Sequence, residues 1–512
     1  MDEDTQKEND GAIGKPSVLR ISSRDPVRDL FDSAREAANS AHVSRVGSTG
    51  AETLEPLVMA TQNGATAFHP NVSSRDIGEI VMRLEEGEIA SGAEAVVKHD
   101  PNIPTLPIPS LRPLNVGSRT VLRRCGWVSP TSIADYEKTG GLSSPQADDS
   151  SVLERVRGLK GRGWGDVATD EPIDKAWEEV KEHSGDSVMI VNAHSTETAD
   201  SLLLRSDPFA VVGGALTCAR VVGANEVVFY VNETDGVAHD RVEKALNSNS
   251  LVEGEIDTRL VSAPEDYKAG EVTMALEAIE GSHRLEARLR PPYPSQHGLN
   301  GRPTLIHTPR TLAHVEMALS ENNDKDTRVF TITGDVDSRA VVELSTDSNL
   351  SSILDGVGVE GEFKAAYVGG EFGGLTRDLE IKPDVEGLKS AGLGTDGVVE
   401  FLNQNRCMVA FAGERSKFAH EENCGRCVPC REGSKQMTQL LRNIYEGDYD
   451  EDKIRELLRV MEDTSICEFG MNAPRPVTTA MDLFENEFLE HSMGRCPTGT
   501  CEMTKKNKEV ST

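Results

Sequence analysis

The sequence predicts a multidomain α/β protein that ends in a helical bundle. Three observations carry this expectation. At about 150 residues per domain, 512 residues make three or four domains. Residues 120–320 alternate short apolar runs with helical stripes, the pattern of a mainly parallel sheet. After residue 430 the apolar residues fall at helical spacing.

The elements follow in order. Residues 1–50 are polar and lack a sustained period, so they read as a flexible leader with a short helix near Asp29–Ala38. Residues 51–115 form a small α/β unit. Leu57–Thr61 is a strand run, and Ser73 with Asp76 resembles a capping box ahead of a helix carrying Ile77, Ile80, Val81 and Leu84. The proline-rich stretch Pro101–Pro113 reads as a linker. The domain at 116–322 has strand runs at Val188–Val191, Val227–Val231 and Arg259–Ser262. Its helices are Phe209–Ala219 and one marked by Val272, Ala275, Leu276 and Ile279. Ligands on such sheets sit at strand carboxyl ends, beside helix N-termini and glycine turns. Residues 323–397 carry the β-type runs Val329–Thr333, Val341–Leu344 and Ala365–Val368 and a glycine turn at 369–374, so they read as a compact β-rich module. Residues 398–495 are the bundle. Its stripes are Met437, Leu440, Leu441 and Ile444; then Ile454, Leu457, Leu458 and Met461; then Val477, Ala480, Met481, Phe484 and Phe488. Pro474 and Pro476 suit the first turn of the last of these.

Charge narrows the function classes. With 54 basic and 85 acidic residues the net charge is −31, which repels phosphate backbones and anionic lipid. Nucleic acid and membrane surfaces are therefore poor partners. Acidity spread along the whole chain suits a salt-rich cytosol, where screening shrinks self-repulsion. The start, MDEDTQKEND, is the reverse of a signal peptide. The most apolar window, from Pro208 to Val231, is interrupted by Arg220 and Glu226 and reads as a buried helix, a turn at Gly223 and a strand. A cytoplasmic protein is expected, either free or peripheral to a membrane complex, with no membrane span of its own.

Six of the nine cysteines lie after residue 420, and clustering of this kind points to metal rather than to disulfides. Cys424, Cys427 and Cys430 form a C-x2-C-x2-C run that can wrap one face of an iron–sulfur cubane. Cys467, in the link between two helical stripes, is the natural fourth ligand. A structural zinc site or free thiols are the competing readings. His491, Cys496 and Cys501 supply three ligands for a second, zinc-type site, against a reduced-thiol tail. Cys125, Cys218 and Cys407 stand singly in apolar contexts and read as core residues.

The segment from Glu422 to Gly433, ENCGRCVPCREG, followed by Ser465-Ile-Cys-Glu-Phe-Gly470, closely resembles the NADH-binding flavoprotein subunit of respiratory complex I. That family includes subunits of NAD(P)-linked hydrogenases and formate dehydrogenases. The resemblance covers nearly the whole chain. It implies a thioredoxin-like unit without cluster cysteines at 51–115 and a Rossmann-like flavin and NADH domain at 116–322. It further implies a β-grasp (SLBB-like) module at 323–397, a helical [4Fe–4S] domain at 398–495 and a cysteine-containing tail at 496–512. The implied cluster ligands are Cys424, Cys427, Cys430 and Cys467. The implied FMN and NADH residues are Gly161, Arg162 and Gly163 of a glycine-rich turn, Lys175, Asn192, Glu197, Gly270, Glu271, Arg290, Tyr293 and Thr311. The turn departs from the family form. Trp164 and Asp166 replace glycines, and Asp166 places an anion where a phosphate or flavin is expected. The function implied is transfer of electrons from NADH through FMN to the cluster and on to a partner subunit. The alternative is a relay or scaffold subunit that keeps the cluster without flavin.

Overall fold

The computed structural model describes residues 11–25, 27–100, 103–141, 149–183, 186–195, 198–248, 256–320 and 327–503. The first unit begins much earlier than its composition suggests. Strand β1 (Ser17–Ser22), helix α1 (Arg28–Ala37) and β2 (His42–Val46) precede β3 (Leu57–Gln62), β4 (Ala65–His69), α2 (Ile77–Glu86) and β5 (Ala95–Lys98). The sheet order is β2-β1-β3-β4-β5. β1 and β2 are parallel, and the other pairings are antiparallel. Residues 17–46 are thus integral to a sheet rather than a leader. Their apolar residues are few but well placed: Leu19, Ile21, Leu30, Phe31 and Ala34 pack with Val58, Ala60 and the α2 stripe Ile77, Ile80, Val81 and Leu84. The β3–β4 hairpin turns on Asn63-Gly64, both at positive φ, as a tight two-residue turn requires. The expected capping box is absent. Ser73 Oγ bonds to the Asp76 carboxylate at 2.6 Å, and Asp76 makes no side-chain cap.

Helix α3 (Ile133–Lys138) follows the irregular stretch after residue 103. The second unit contains α4 (Asp149–Val156), α5 (Ile173–Glu182), β6 (Ser187–Ala193), α6 (Ala199–Ser206), α7 (Pro208–Val222), β7 (Ala224–Asn232), α8 (Gly236–Leu246), β8 (Asp257–Ala263), α9 (Val272–Ile279), α10 (Pro294–His297), β9 (Thr304–His307) and α11 (Pro309–Leu319). Its sheet is wholly parallel, in the order β8-β7-β6-β9. Among the described residues no single helix is long and apolar enough to cross a membrane. The apolar pair α6 and α7 bends by 100°, and α7 is buried on nearly every side.

A buried ion network ties this unit together. Arg124 donates to Asp207 at 2.7 Å and pairs with Glu316 at 2.8 Å, and Glu316 also holds Arg123 at 3.0 Å. All four residues are nearly sealed from solvent. Removing the shared cation leaves two carboxylates buried together. Arg124→Met is expected to cost about 3–5 kcal/mol of stability, read as a drop in the denaturant midpoint. A loss within about 0.5 kcal/mol, the range of an ordinary surface substitution, contradicts this.

The third unit is β10 (Thr327–Gly334), β11 (Ala340–Ser345), α12 (Ser351–Val357), β12 (Phe363–Val368), β13 (Gly374–Thr376), α13 (Val385–Ser390) and β14 (Val398–Asn403). Its order is β11-β10-β14-β12-β13, with β10 and β14 parallel at the centre. The last unit is helical: α14 (Met408–Glu422), α15 (Val428–Ile444), α16 (Glu451–Thr464), α17 (Glu468–Asn472), α18 (Arg475–Leu483) and α19 (Glu485–Ser492). The stripe from Val477 to Phe488 is two helices, not one. The break falls at Phe484, whose ring is covered by the Arg377 guanidinium at 4.4 Å and the Lys364 ammonium at 5.4 Å.

Candidate functional site

The cysteine run lies where three helices meet. Cys424 follows the end of α14, Cys427 is the N-cap of α15, Cys430 sits in the first turn of α15, and Cys467 is the N-cap of α17. Two of the four thiols are thus N-caps, where the helix dipole favours a thiolate. A hydrogen bond from the Cys430 thiol brings Cys427 down to about 5, whereas the same bond pushes Cys430 up. Burial raises Cys467 to about 12. Gly470 is a glycine for a steric reason. A Cβ there would lie 2.6 Å from Ser465 Oγ and 2.9 Å from the Cys430 Cβ. The loop is strapped by Arg431, which donates to the Gly425 carbonyl at 2.8 Å, and by Arg426, which donates to Ala287 of the second unit at 2.8 Å.

The tail forms a tighter group. Ligand atoms of Cys407, His491, Cys496 and Cys501 all lie within 4.8 Å of one another. His491 Nδ1 faces the Glu487 carbonyl at 2.6 Å, which can only accept, so this nitrogen carries the hydrogen. The lone pair on Nε2 is left facing Cys407 Sγ at 3.3 Å. Three sulfurs and an imidazole this close suit one tetrahedral ion. Cys407, read from the sequence as a core residue, belongs to this group. It is the N-cap of α14, 84 positions before His491, and no local spacing marks it. Cys125 and Cys218 are buried in the second unit's core, as expected.

At the glycine turn the structure brings Gly161, Arg162, Gly163, Asn192, Gly270, Glu271 and Thr311 together. Asn192 Nδ2 donates to the carbonyls of Gly165 at 3.0 Å and Gly270 at 2.9 Å. Gly165 has φ of 89°, and a Cβ there would meet Asn192 Nδ2 at 2.3 Å. Glu271 caps α9 by accepting from Thr273 and Met274 N–H, and Arg290 pairs with its carboxylate. The buried Arg162 donates to the carbonyls of Lys160 and Thr327. Two expected ligand residues do not join them. Lys175 lies on the exposed face of α5, whose inward positions are taken by Ile173, Trp177 and Val180, and Tyr293 is 50% exposed ahead of α10. Glu197 falls outside the described residues.

The N-terminus of α11 is an anion cradle, and the chain fills it itself. Asp166 accepts from Thr311 Oγ1 at 2.7 Å, Thr308 N at 3.2 Å and Ala168 N at 2.9 Å. Trp177 Nε1 donates to His307 Nε2 at 2.8 Å, so His307 Nδ1 carries its hydrogen toward Asp166, 3.0 Å away. Burial pushes the Asp166 carboxyl up, but the His307 imidazole and the hydrogen bonds from Thr311 and Ala168 outweigh it and hold the group below its ordinary range. The Trp164 indole lies beside the turn and stacks on Tyr267 at 5.2 Å and 12°. Tyr267 meets Phe418 at 5.1 Å and Phe469 at 6.3 Å, so an aromatic chain runs from the turn to within two residues of Cys467. Tyr267 and Phe418 carry no sequence signal of this role. The Asp166 carboxylate takes the donors that a flavin phosphate would compete for at this helix N-terminus, and the Trp164 indole lies in the space beside the turn. A cavity of about 400 Å³ remains alongside, at the carboxyl ends of β6 and β7, lined by Trp164, His194, Asn232, Tyr267, Asp396 and Arg415 among others.

Comparison with known proteins agrees with this division. Residues 156–317 match the Nuo51 FMN-binding domain, and residues 410–491 match the iron–sulfur binding region of NADH-ubiquinone oxidoreductase-F. The HndC component of the NADP-reducing hydrogenase of Solidesulfovibrio fructosivorans is 28% identical over 431 residues, 75% of this chain and 85% of that protein. The F-type subunit of the NADH-quinone oxidoreductase of Rickettsia bellii is 30% identical over 402 residues, 70% of this chain and 94% of the relative. A crystal structure of an H2-reduced NAD+-reducing [NiFe]-hydrogenase has the same fold, with a TM-score of 0.62 and 20% identity over 93% of this chain and 85% of that one. By this similarity the chain belongs to the family of F-type NADH-quinone oxidoreductase subunits and carries the FMN-binding and [4Fe–4S] regions of an NADH-oxidising flavoprotein.

Proposed function

We propose that this chain works as the NADH-oxidising, iron–sulfur subunit of a larger electron-transfer assembly, with its cluster held by Cys424, Cys427, Cys430 and Cys467. The observation that carries this reading is that Cys424, Cys427 and Cys467 lie close enough to act on the Cys430 thiol, with Phe469, two residues past Cys467, ending the aromatic chain from the glycine turn. A [4Fe–4S] cluster takes and gives one electron at a time. Cys427, the N-cap of the long helix α15, would hold a cluster at the positive end of that helix's dipole, which would favour its negative charge. A single cluster needs an acceptor, so a partner subunit is part of the reading. This reading takes the first three units as the thioredoxin-like, Rossmann-like and β-grasp domains that the resemblance implies, and the subunit as cytoplasmic, peripheral to a membrane complex where it joins one.

The closed cradle bears directly on the flavin. FMN enters the turn only if Asp166 and Trp164 give way. The test is to reconstitute the full chain anaerobically with iron, sulfide and FMN, then add NADH. Cluster bleaching and the paramagnetic signal of a reduced [4Fe–4S] centre are expected. A reconstituted cluster that dithionite reduces but NADH with FMN does not would overturn the reading.

Cys407, His491, Cys496 and Cys501 are proposed as a structural Cys3His zinc site that ties the tail to α14 and α19. Cys407→Ser is expected to lower zinc from about one per chain to near zero and to leave iron unchanged, measured by elemental analysis. Zinc retained in full contradicts the assignment.

A further inference from the structure

Ser465 closes α16 and stands two positions before the ligand Cys467. Its backbone N–H is satisfied, donating to the Met461 carbonyl at 3.1 Å. Its side chain finds nothing comparable. Ser465 is 4% exposed, and its Oγ is sealed from solvent with no hydrogen-bond partner among the described residues. A hydroxyl buried in this way gives up its bonds to water without replacing them. Other hydroxyls of the bundle avoid that loss. Thr464 donates to the Val460 carbonyl at 2.6 Å, Thr438 to the Ser434 carbonyl at 2.9 Å, and Ser416 Oγ lies 2.8 Å from Thr438 Oγ1. Core packing does not account for the exception, because alanine fills the same place without orphaning a polar group.

The orphaned oxygen borders the cysteine site. A Cβ on Gly470 would lie 2.6 Å from Ser465 Oγ, 2.7 Å from Ser465 Cβ and 2.9 Å from Cys430 Cβ, so the hydroxyl and the Cys430 side chain flank one point. Glycine at 470 lets them share it. Backbone donors surround the same sulfurs. The Ile466 N–H faces the Cys427 thiol, and those of Phe469 and Gly470 face the Cys467 thiol. Met461 and Phe469 supply apolar packing on this side of the bundle and offer the hydroxyl no acceptor in their side chains better than a thioether. A serine hydroxyl turns freely about its C–O bond, so its hydrogen can point at whichever acceptor shares the space. The acceptors that a loaded site provides there are negatively charged sulfurs, and a hydrogen bond to a charged acceptor is among the strong ones.

We propose that the Ser465 hydroxyl donates a hydrogen bond to sulfur on the Cys430 side of the loaded cluster site and thereby raises the cluster's reduction potential. Hydrogen bonds to the sulfurs are one of the levers that set such potentials. Reduction adds negative charge, so a donor favours the reduced form. The experiment is a redox titration of the full chain with its cluster loaded, followed by the paramagnetic signal of the reduced centre, with iron measured on the same samples. Ser465→Ala is expected to keep its iron and to lower the reduction equilibrium at least threefold, about 30 mV toward negative potential for one electron. The control Cys218→Ala, in the core of the second unit, stays at the wild-type potential. A potential unchanged in Ser465→Ala at full iron overturns the proposal. So does a shift to positive potential, the direction expected if water merely enters the space. If Ser465→Ala does not hold its cluster, Ser465→Cys is titrated instead. Its S–H is a weak donor, so a smaller negative shift is expected, and no shift overturns the proposal. The proposal rests on the reading of the four cysteines as cluster ligands. Loss of iron in Cys467→Ser tests that reading, whereas a change of potential at full iron tests the hydroxyl, so the two failures are distinguishable.

Discussion

Cys467→Ser should empty the cluster site. Cys467 is 5% exposed and reaches the site from the link between α16 and α17, 37 residues beyond Cys430. It is the one ligand that joins two separate stretches of chain, and a serine oxygen is a poor substitute for a thiolate on iron. Iron and acid-labile sulfide are expected to fall from about four of each per chain to less than one, with loss of the reduced paramagnetic signal. Loosening of the bundle should follow, because Phe469 and Gly470 pack directly behind the ligand. Cys218→Ala is the control. It changes a buried core thiol far along the sequence and leaves iron unaltered. Full iron and an unchanged signal in Cys467→Ser would sink the ligand assignment.

Asp166→Ala should open the anion cradle. The substitution leaves Thr308 N–H, Thr311 Oγ1 and His307 without their shared acceptor in a dry site, a loss of about 3–5 kcal/mol in anion-free buffer. Part of that loss should return when phosphate is added, and affinity for FMN should rise at least tenfold, read by quenching of flavin fluorescence. If phosphate restores nothing and FMN affinity does not change, the N-terminus of α11 is not where a flavin phosphate sits. The wild-type contribution has a definite pH dependence. Because the folded Asp166 carboxyl is held below its unfolded value, the stabilisation is complete above about pH 4 and is lost as pH falls further toward the folded value. Asp166→Asn should lack that acid step.

Much of this chain is legible in order along the sequence. The strands and helices of the second and last units follow from apolar periodicity, which local backbone geometry imposes. The Cys424–Cys430 run is likewise local, since its pitch matches the start of one helix. The first unit is only half legible. Strands β1 and β2 carry Arg20, Ser22, Ser44 and Arg45 among few apolar residues, so they read as polar leader. Arg20 is in fact sealed, with its guanidinium 3.7 Å over the Trp127 ring and Nε donating to the Trp127 carbonyl. A partner 107 residues away leaves no trace in a local window.

Residue order was therefore enough for most of the elements, for the cysteine run and for the acid in the glycine turn. Folding in three dimensions settled which distant groups share a space. It brought Cys407 to His491, turned Asp166 into the N-terminus of α11 and stacked Trp164 on Tyr267. Periodicity and turn chemistry act over a few bonds, whereas a ligand set is fixed by where the chain returns, and packing of the whole core decides that.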